Sequence, residues 1–134
     1  MWGAGRVGLH LAPRGDAHSM GDSNPAATFS YVAKEASRRG IAFLFAREYV
    51  GPDSLGPQLK REFGGSYIAN EGLVQESAAQ LLTHGDADAV SFGKLYIANP
   101  DLPQRFAANV PLNEPNPALF FGGGAEGYTD YPLR

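Results

Sequence analysis

The 134-residue chain contains no cysteine, which excludes a disulfide scaffold and any thiolate metal site and leaves a reducing compartment open to it. No run of apolar residues approaches membrane-spanning length. The start, MWGAGRVGLHLAP, lacks the charged opening and small-residue cleavage site of a secretory signal. These absences together lead to the expectation of a cytoplasmic protein without a membrane partner. An excess of positive charge is missing as well. With 11 basic and 14 acidic residues the net charge is -3, so no footprint for nucleic acid is visible and any anion site must be local.

Turn-forming residues, by contrast, are abundant, with 17 glycines and 10 prolines, and a hydrophobic content of 43% is enough for a core. At this length one domain, residues 1–134, is expected. Val7 to Ala12 is a short apolar run closed by Pro13 and Gly15, and reads as a strand. Asn24 is a good helix N-cap, Pro25 suits the first helical position, and Phe29, Val32, Ala33 and Ala36 share one helical face up to Gly40. Ile41 to Ala46 is a second strand. Leu55 to Glu62 makes a short helix with Pro57 in its first turn, and Ser66 to Asn70 a third strand. Val74, Ala78, Leu81 and Leu82 form another stripe ending near Gly85, and Ala89 to Phe92 a fourth strand left through Gly93 and Lys94. A last helix is expected from Asn99, Pro100 and Asp101, with Leu102, Phe106 and Val110 on one face.

Strands apolar throughout, alternating with amphipathic helices, indicate a parallel sheet covered by helices. Four such units are about half of an eight-fold barrel, which takes roughly 250 residues. A small flavodoxin-like sheet is the competing architecture. In either, ligands meet the C-terminal ends of the strands, here Pro13 to Asp16, Arg47 and Glu48, Ala69 to Gly72, and Gly93 with Lys94. Gly93 lets backbone N–H groups approach an anion, and Lys94 adds a point charge or is a solvated surface lysine. His10, inside an apolar strand, is either a satisfied core histidine or a catalytic one. His10, Asp16, His18 and Asp22 are metal-ligand types but match no ligand spacing. Arg14 to Asp16 spell RGD, a chance tripeptide in a loop. Gly122, Gly124 and Gly127 match G-x-G-x-x-G, yet two prolines precede them and only seven residues follow, so the strand and helix of a dinucleotide loop are absent. Four aromatics around these glycines indicate a tail, residues 113–134, that packs against something.

Taken together, RVGLHLAPRGD, REY, YIANEG, DAVSFGKLYIANPDLPQRF and PLNEPNPALFFGGGAEGYTDYP resemble the C-terminal half of the Old Yellow Enzyme family of FMN-dependent ene-reductases. The resemblance runs through essentially the whole chain. It implies an α/β fold, strands five to eight of a TIM (β/α)8 barrel, FMN as cofactor and NAD(P)H as reductant of electron-poor alkenes. It further implies that the backbone of Ala69 and Asn70 and of Gly93 and Lys94 contacts the FMN phosphate, where the family usually carries arginine at the place of Lys94. His10 stands where the family has an arginine beside the flavin. Phe120 resembles the aromatic lining the flavin, and Phe121 replaces a tyrosine of the substrate pocket. The family's carbonyl clamp and tyrosine proton donor lie in the N-terminal half, so the chain is expected to be a truncated or split product, with no catalytic residues of its own. Turnover then needs a separate N-terminal half-barrel chain; otherwise the chain is a non-catalytic half-barrel prone to self-association.

Overall fold

The computed structural model describes residues 2–15 and 19–134, which form two compact units, Met1–Ser91 and Phe92–Arg134. The first unit carries every strand. β1 (Gly8–Leu11), α1 (Pro25–Arg38), β2 (Phe43–Arg47), α2 (Gly56–Phe63), β3 (Ser66–Asn70), α3 (Gln75–His84) and β4 (Ala89–Val90) alternate along the chain. The strands are all parallel in the order β1-β2-β3-β4, each neighbour joined through a βαβ crossover. His10 lies opposite Phe45, Phe45 opposite Ile68, and Ile68 opposite Ala89, so side chains form rows across the sheet.

Helix α1 forms where its end signals stand. The Asn24 side chain accepts a hydrogen bond from the Ala27 N–H at 3.2 Å, Pro25 occupies the first turn, and Gly40 adopts φ 66° just past the end. Its buried residues, Ala33 and Ala36, are small, which lets α1 and α2 approach closely; α2 contributes Leu59 and Phe63. Beneath them the strands present Leu44, Ala46, Tyr67 and Ala69, all buried.

The opposite face of the sheet is open. Gly8, His10, Phe43, Arg47 and Ser66 are exposed there, with Phe45, Ile68 and Asn70 half-buried. Gly8 pairs with Phe43, whose ring lies where a β-carbon on residue 8 would sit, 2.1 Å from its nearest atom. Two expectations need correction. The α3 stripe buries only Ala78, while Val74 is 57% exposed and Leu82 43%, because helical spacing marks an apolar face without supplying a cover for it. β4 stops at Val90 instead of Phe92.

The lower end of β3 and β4 is held by Asp88. Its Oδ2 accepts from the Tyr67 N–H at 2.8 Å and from Lys60 Nζ at 2.6 Å, and these two donors, the lysine first, lower its pKa. A carboxyl depressed in the folded state adds stability above its unfolded pKa, about 3.9, and that contribution fades as pH falls through the folded value. Asp88→Asn is therefore expected to flatten the acid limb of a thermal-melt series below about pH 4. An acid limb identical to the parent's would contradict this assignment.

The second unit holds one element that the sequence pattern does not mark. Lys94–Ala98 is a short helix, α4, and it ends at Asn99, where a helix start was expected; α5 (Leu102–Ala108) follows from Asp101. Asn109 closes α5 in the left-handed region at φ 49°, so Val110 lies outside the helix. Asn99 is fully buried. Its Nδ2 donates to the carbonyls of Leu95 at 2.9 Å and Asn113 at 3.2 Å, and its Oδ1 accepts from the Asn113 N–H at 2.7 Å. Buried Arg105 donates to Asp101 at 2.7 Å and to the carbonyls of Pro111 and Pro132 at 2.9 and 2.8 Å. These amide and guanidinium contacts hold the glycine-rich tail within its unit without a sheet to pair with.

Candidate functional site at the strand C-termini

Parallel strands direct their C-terminal ends to one rim, and the open face of the first unit becomes polar as it reaches that rim. Its outermost row carries Arg47 opposite Asn70, with Ser91 one residue past β4. Asn70 Nδ2 donates to the Ser91 carbonyl at 2.7 Å, and its own carbonyl accepts from the Glu48 N–H at 3.1 Å. The Ala69 carbonyl accepts from the Ser91 N–H at 2.9 Å, and the Ala69 side chain is buried on the helix-covered side. The polar groups of these two expected phosphate contacts are thus partly engaged in joining β3 to the residue after β4.

Free donors lie one turn further along. The N–H groups of Glu71 and Gly72 have no acceptor among the described residues. Glu71 holds φ 95°, a left-handed value that a side chain rarely adopts, and Gly72 follows at φ 66° with open space around it. Successive amides in such a turn make a concavity suited to an anion. The Glu71 carboxylate opposes an anion there, and Arg47 offsets it through an Nε–Oε2 contact of 2.7 Å.

His10 is not a core histidine. It is exposed on the open face, edge-on to Phe45 with ring centroids 4.4 Å apart. In the second unit, Gly93 precedes α4 with nothing within 4 Å of where a β-carbon would stand, and Lys94 is exposed at the start of that helix. Phe120 is buried and meets Phe121 edge-on at 6.3 Å, while Phe121 is 96% exposed.

A cluster under the rim was not anticipated from the chain. Glu48, fully buried at the side chain, accepts through Oε1 from Arg14 Nε and from the Leu55 N–H, both at 2.8 Å. Arg14 also donates to the Asp53 carbonyl and lies over the Tyr49 ring at 5.0 Å, and the Tyr49 hydroxyl donates to Asp53. The hydrogen bond to Glu48 raises the Arg14 pKa, and the contact with Asp53 raises that of Tyr49 while lowering that of Asp53. Burial, with a smaller contribution from the Glu48 charge, pushes the Tyr67 phenol up to about 12. The RGD arginine is therefore an anchor between the loops after β1 and β2. The only signal for it in the chain was a charged pair, Arg47 and Glu48, at the end of an apolar strand.

Of the metal-ligand types, Asp16 and His18 lie outside the described residues. Asp22 accepts from the Asn24 N–H at 2.6 Å, an N-terminal role before α1. Among the described residues no three metal-ligating side chains gather, and no helix is long and apolar enough to cross a membrane.

Known proteins match the chain almost from end to end. A "probable flavin mononucleotide-dependent alkene reductase" of Leishmania infantum is 37% identical over 98% of this chain and 37% of its own length. 12-oxophytodienoate reductase 2 of Arabidopsis thaliana is 34% identical over 97% of this chain, again 37% of its own. Among solved structures, morphinone reductase superposes with a TM-score of 0.90 at 38% identity, covering 99% of this chain and 37% of that one. An old yellow enzyme homologue from Zymomonas mobilis gives 0.89 at 36% identity, covering 39% of its chain. The chain thus spans little more than a third of the length of the relatives it matches. No family model matches it.

Proposed function

We infer, from a chain that matches part of the Old Yellow Enzyme family in both sequence and fold, that it is the phosphate-holding portion of an FMN-dependent ene-reductase. On this reading its four strands are strands five to eight of an eight-stranded barrel. The observation that carries the reading is the TM-score of 0.90 with 38% identity across 99% of the chain, well beyond the range where only a fold is shared.

The donor chemistry of the rim suits the phosphate end of FMN. In the first unit the backbone of Ala69 and Asn70, extended by the unpaired amides of Glu71 and Gly72, is the candidate phosphate contact. In the second unit Gly93 and Lys94 are the candidates, with lysine acting as a compact charge and not as a planar fork. His10, on the open face, is assigned to the flavin ring, where an imidazolium would stabilise developing negative charge and a neutral imidazole would do so less. Phe120 is assigned to the flavin lining and Phe121 to the substrate pocket. Bound FMN would carry electrons from NAD(P)H to an electron-poor alkene. Four further strands would complete the barrel.

FMN and riboflavin differ only in the phosphate, which makes their comparison the test. Fluorescence titration of the purified chain is expected to show FMN binding and no measurable riboflavin binding. Lys94→Ala is expected to weaken FMN about fivefold, equivalent to ~1 kcal/mol. Equal binding of both flavins, or of neither, would sink the reading. A protein that binds neither selects the second reading, a non-catalytic half-barrel.

A further inference from the structure

The strand ends opposite the rim carry a second group of donors, and the function proposed above uses none of them. Below β3 lies an open pocket of about 490 Å³, lined by Lys60, Arg61, Gly64, Gly65, Ser66 and Asp88. Its walls are the last turn of α2, the turn that enters β3 and the residue before β4. β3 is an inner strand, paired on both sides, so the pocket does not depend on a free sheet edge. Its volume falls in the range that takes a small organic molecule, about 300–1,000 Å³.

The lining holds hydrogen-bond donors that the fold leaves unused. Cations in the last turn of a helix offset its carbonyl end, and Lys60 and Arg61 both stand there. Lys60 has a further task in holding Asp88. Arg61 has none: it is exposed and, among the described residues, meets no carboxylate or carbonyl. The Gly65 N–H and the Ser66 hydroxyl likewise have no partner among the described residues. Gly64 closes α2 at φ 67°, and a β-carbon on Gly65 would come within 2.8 Å of the Phe63 ring, so this wall is bare backbone. One acceptor stands among the donors. Asp88 engages Lys60 and the Tyr67 N–H through Oδ2 alone, which leaves Oδ1 free. The carboxylate next along α2, Glu62, is matched by Lys34 at 3.6 Å. The lining therefore sets two cations against one carboxylate, on a chain whose net charge is -3.

We propose that this pocket binds a phosphate ester of a polyol, such as a sugar phosphate. A guanidinium fork, an ammonium, a backbone N–H and a hydroxyl suit the oxygens of the phosphate, and Asp88 Oδ1 suits a hydroxyl of the body attached to it. Ser66 is the first residue of β3 and Asn70 the last, so the site lies about 13 Å along the strand from the rim. The inference is independent of flavin binding.

Ribose-5-phosphate is the probe, compared with ribose and inorganic phosphate, and the amide NMR shifts of the isotope-labelled full chain are the readout. Ribose-5-phosphate is expected to move the signals of Gly64, Gly65 and Ser66 with a dissociation constant of about 1 mM or below. Inorganic phosphate should bind about fivefold more weakly, and ribose not measurably. Arg61→Gln should weaken ribose-5-phosphate about tenfold, and Arg61→Lys should bind within about threefold of the parent. Since Arg61 holds nothing in the fold, both variants should melt with the parent. A titration that moves Glu71 and Gly72 instead assigns the phosphate to the rim and overturns the proposal. So do ribose binding as tight as that of its phosphate, an Arg61→Gln variant that binds like the parent, or the absence of any shift. Inorganic phosphate bound as tightly as the ester marks an adventitious ion only, and overturns the assignment to a phosphate ester.

Discussion

NADPH-dependent reduction of an enone by this chain on its own is expected to run at the uncatalysed rate. Positioning of reactants contributes about 7–11 kcal/mol to well-oriented reactions, and it requires groups held on more than one side of the reacting atoms. Here the face that would meet a flavin is open. His10 and Arg47 sit in water, where their fields are screened by the high dielectric. Nor does that face offer a phenol as proton donor. Tyr67 points under the helices with its pKa pushed up to about 12, and the Tyr49 hydroxyl is committed to Asp53. Forfeiting even about 4 kcal/mol of the positioning effect slows a reaction about a thousandfold. A stopped-flow or steady-state assay with cyclohexenone and NADPH measures this directly, and sustained turnover by the chain without any partner would overturn the assignment of the reacting half elsewhere.

The largest loss of stability in the second unit is expected from Asn99→Leu. The leucine has the same number and branching of side-chain heavy atoms but makes the position apolar, and it removes the partners of the Leu95 carbonyl, the Asn113 carbonyl and the Asn113 N–H together. Each buried polar group left unpaired costs about 1–3 kcal/mol, so a loss of roughly 3 kcal/mol or more is expected. Because Asn113 Nδ2 also bonds the carbonyls of Ala98 and Pro132, the disturbance should spread to the tail. Limited proteolysis should then cut between residues 113 and 134 at protease levels that leave the parent intact. Unchanged melting and unchanged cleavage would show that the amide pair is not the organiser of this unit.

Much of the first unit could be read from the chain because its signals are local. Asn24, Pro25 and Gly40 bracket α1, and 8–11, 43–47 and 66–70 are strands whose turn-forming residues, Gly8, Ser66 and Asn70, stand only at their ends. What could not be read depends on distant partners or on absent cover. Lys94–Ala98 is too short to show a period, and Asn99 resembles a cap in sequence while its side chain is used inside the fold. The exposed flank of α3 has the same letters as a buried one. At the rim, Arg14 reaches Glu48 across 34 positions and Arg47 reaches Glu71 across 24, spans over which sequence carries no spacing rule. Glu71 was further hidden by Gly72, since the glycine accounts for a left-handed turn that the glutamate shares.

The ring of Phe43 resting over Gly8 turns that glycine into a built-in reporter. Its α protons lie in the shielding cone of an aromatic, so they should resonate well upfield of other glycines, in a spectrum where seventeen glycines otherwise overlap. Anything that settles across the bare side of the sheet must push the ring aside or clamp it, and either event moves that one isolated signal before any larger change is seen.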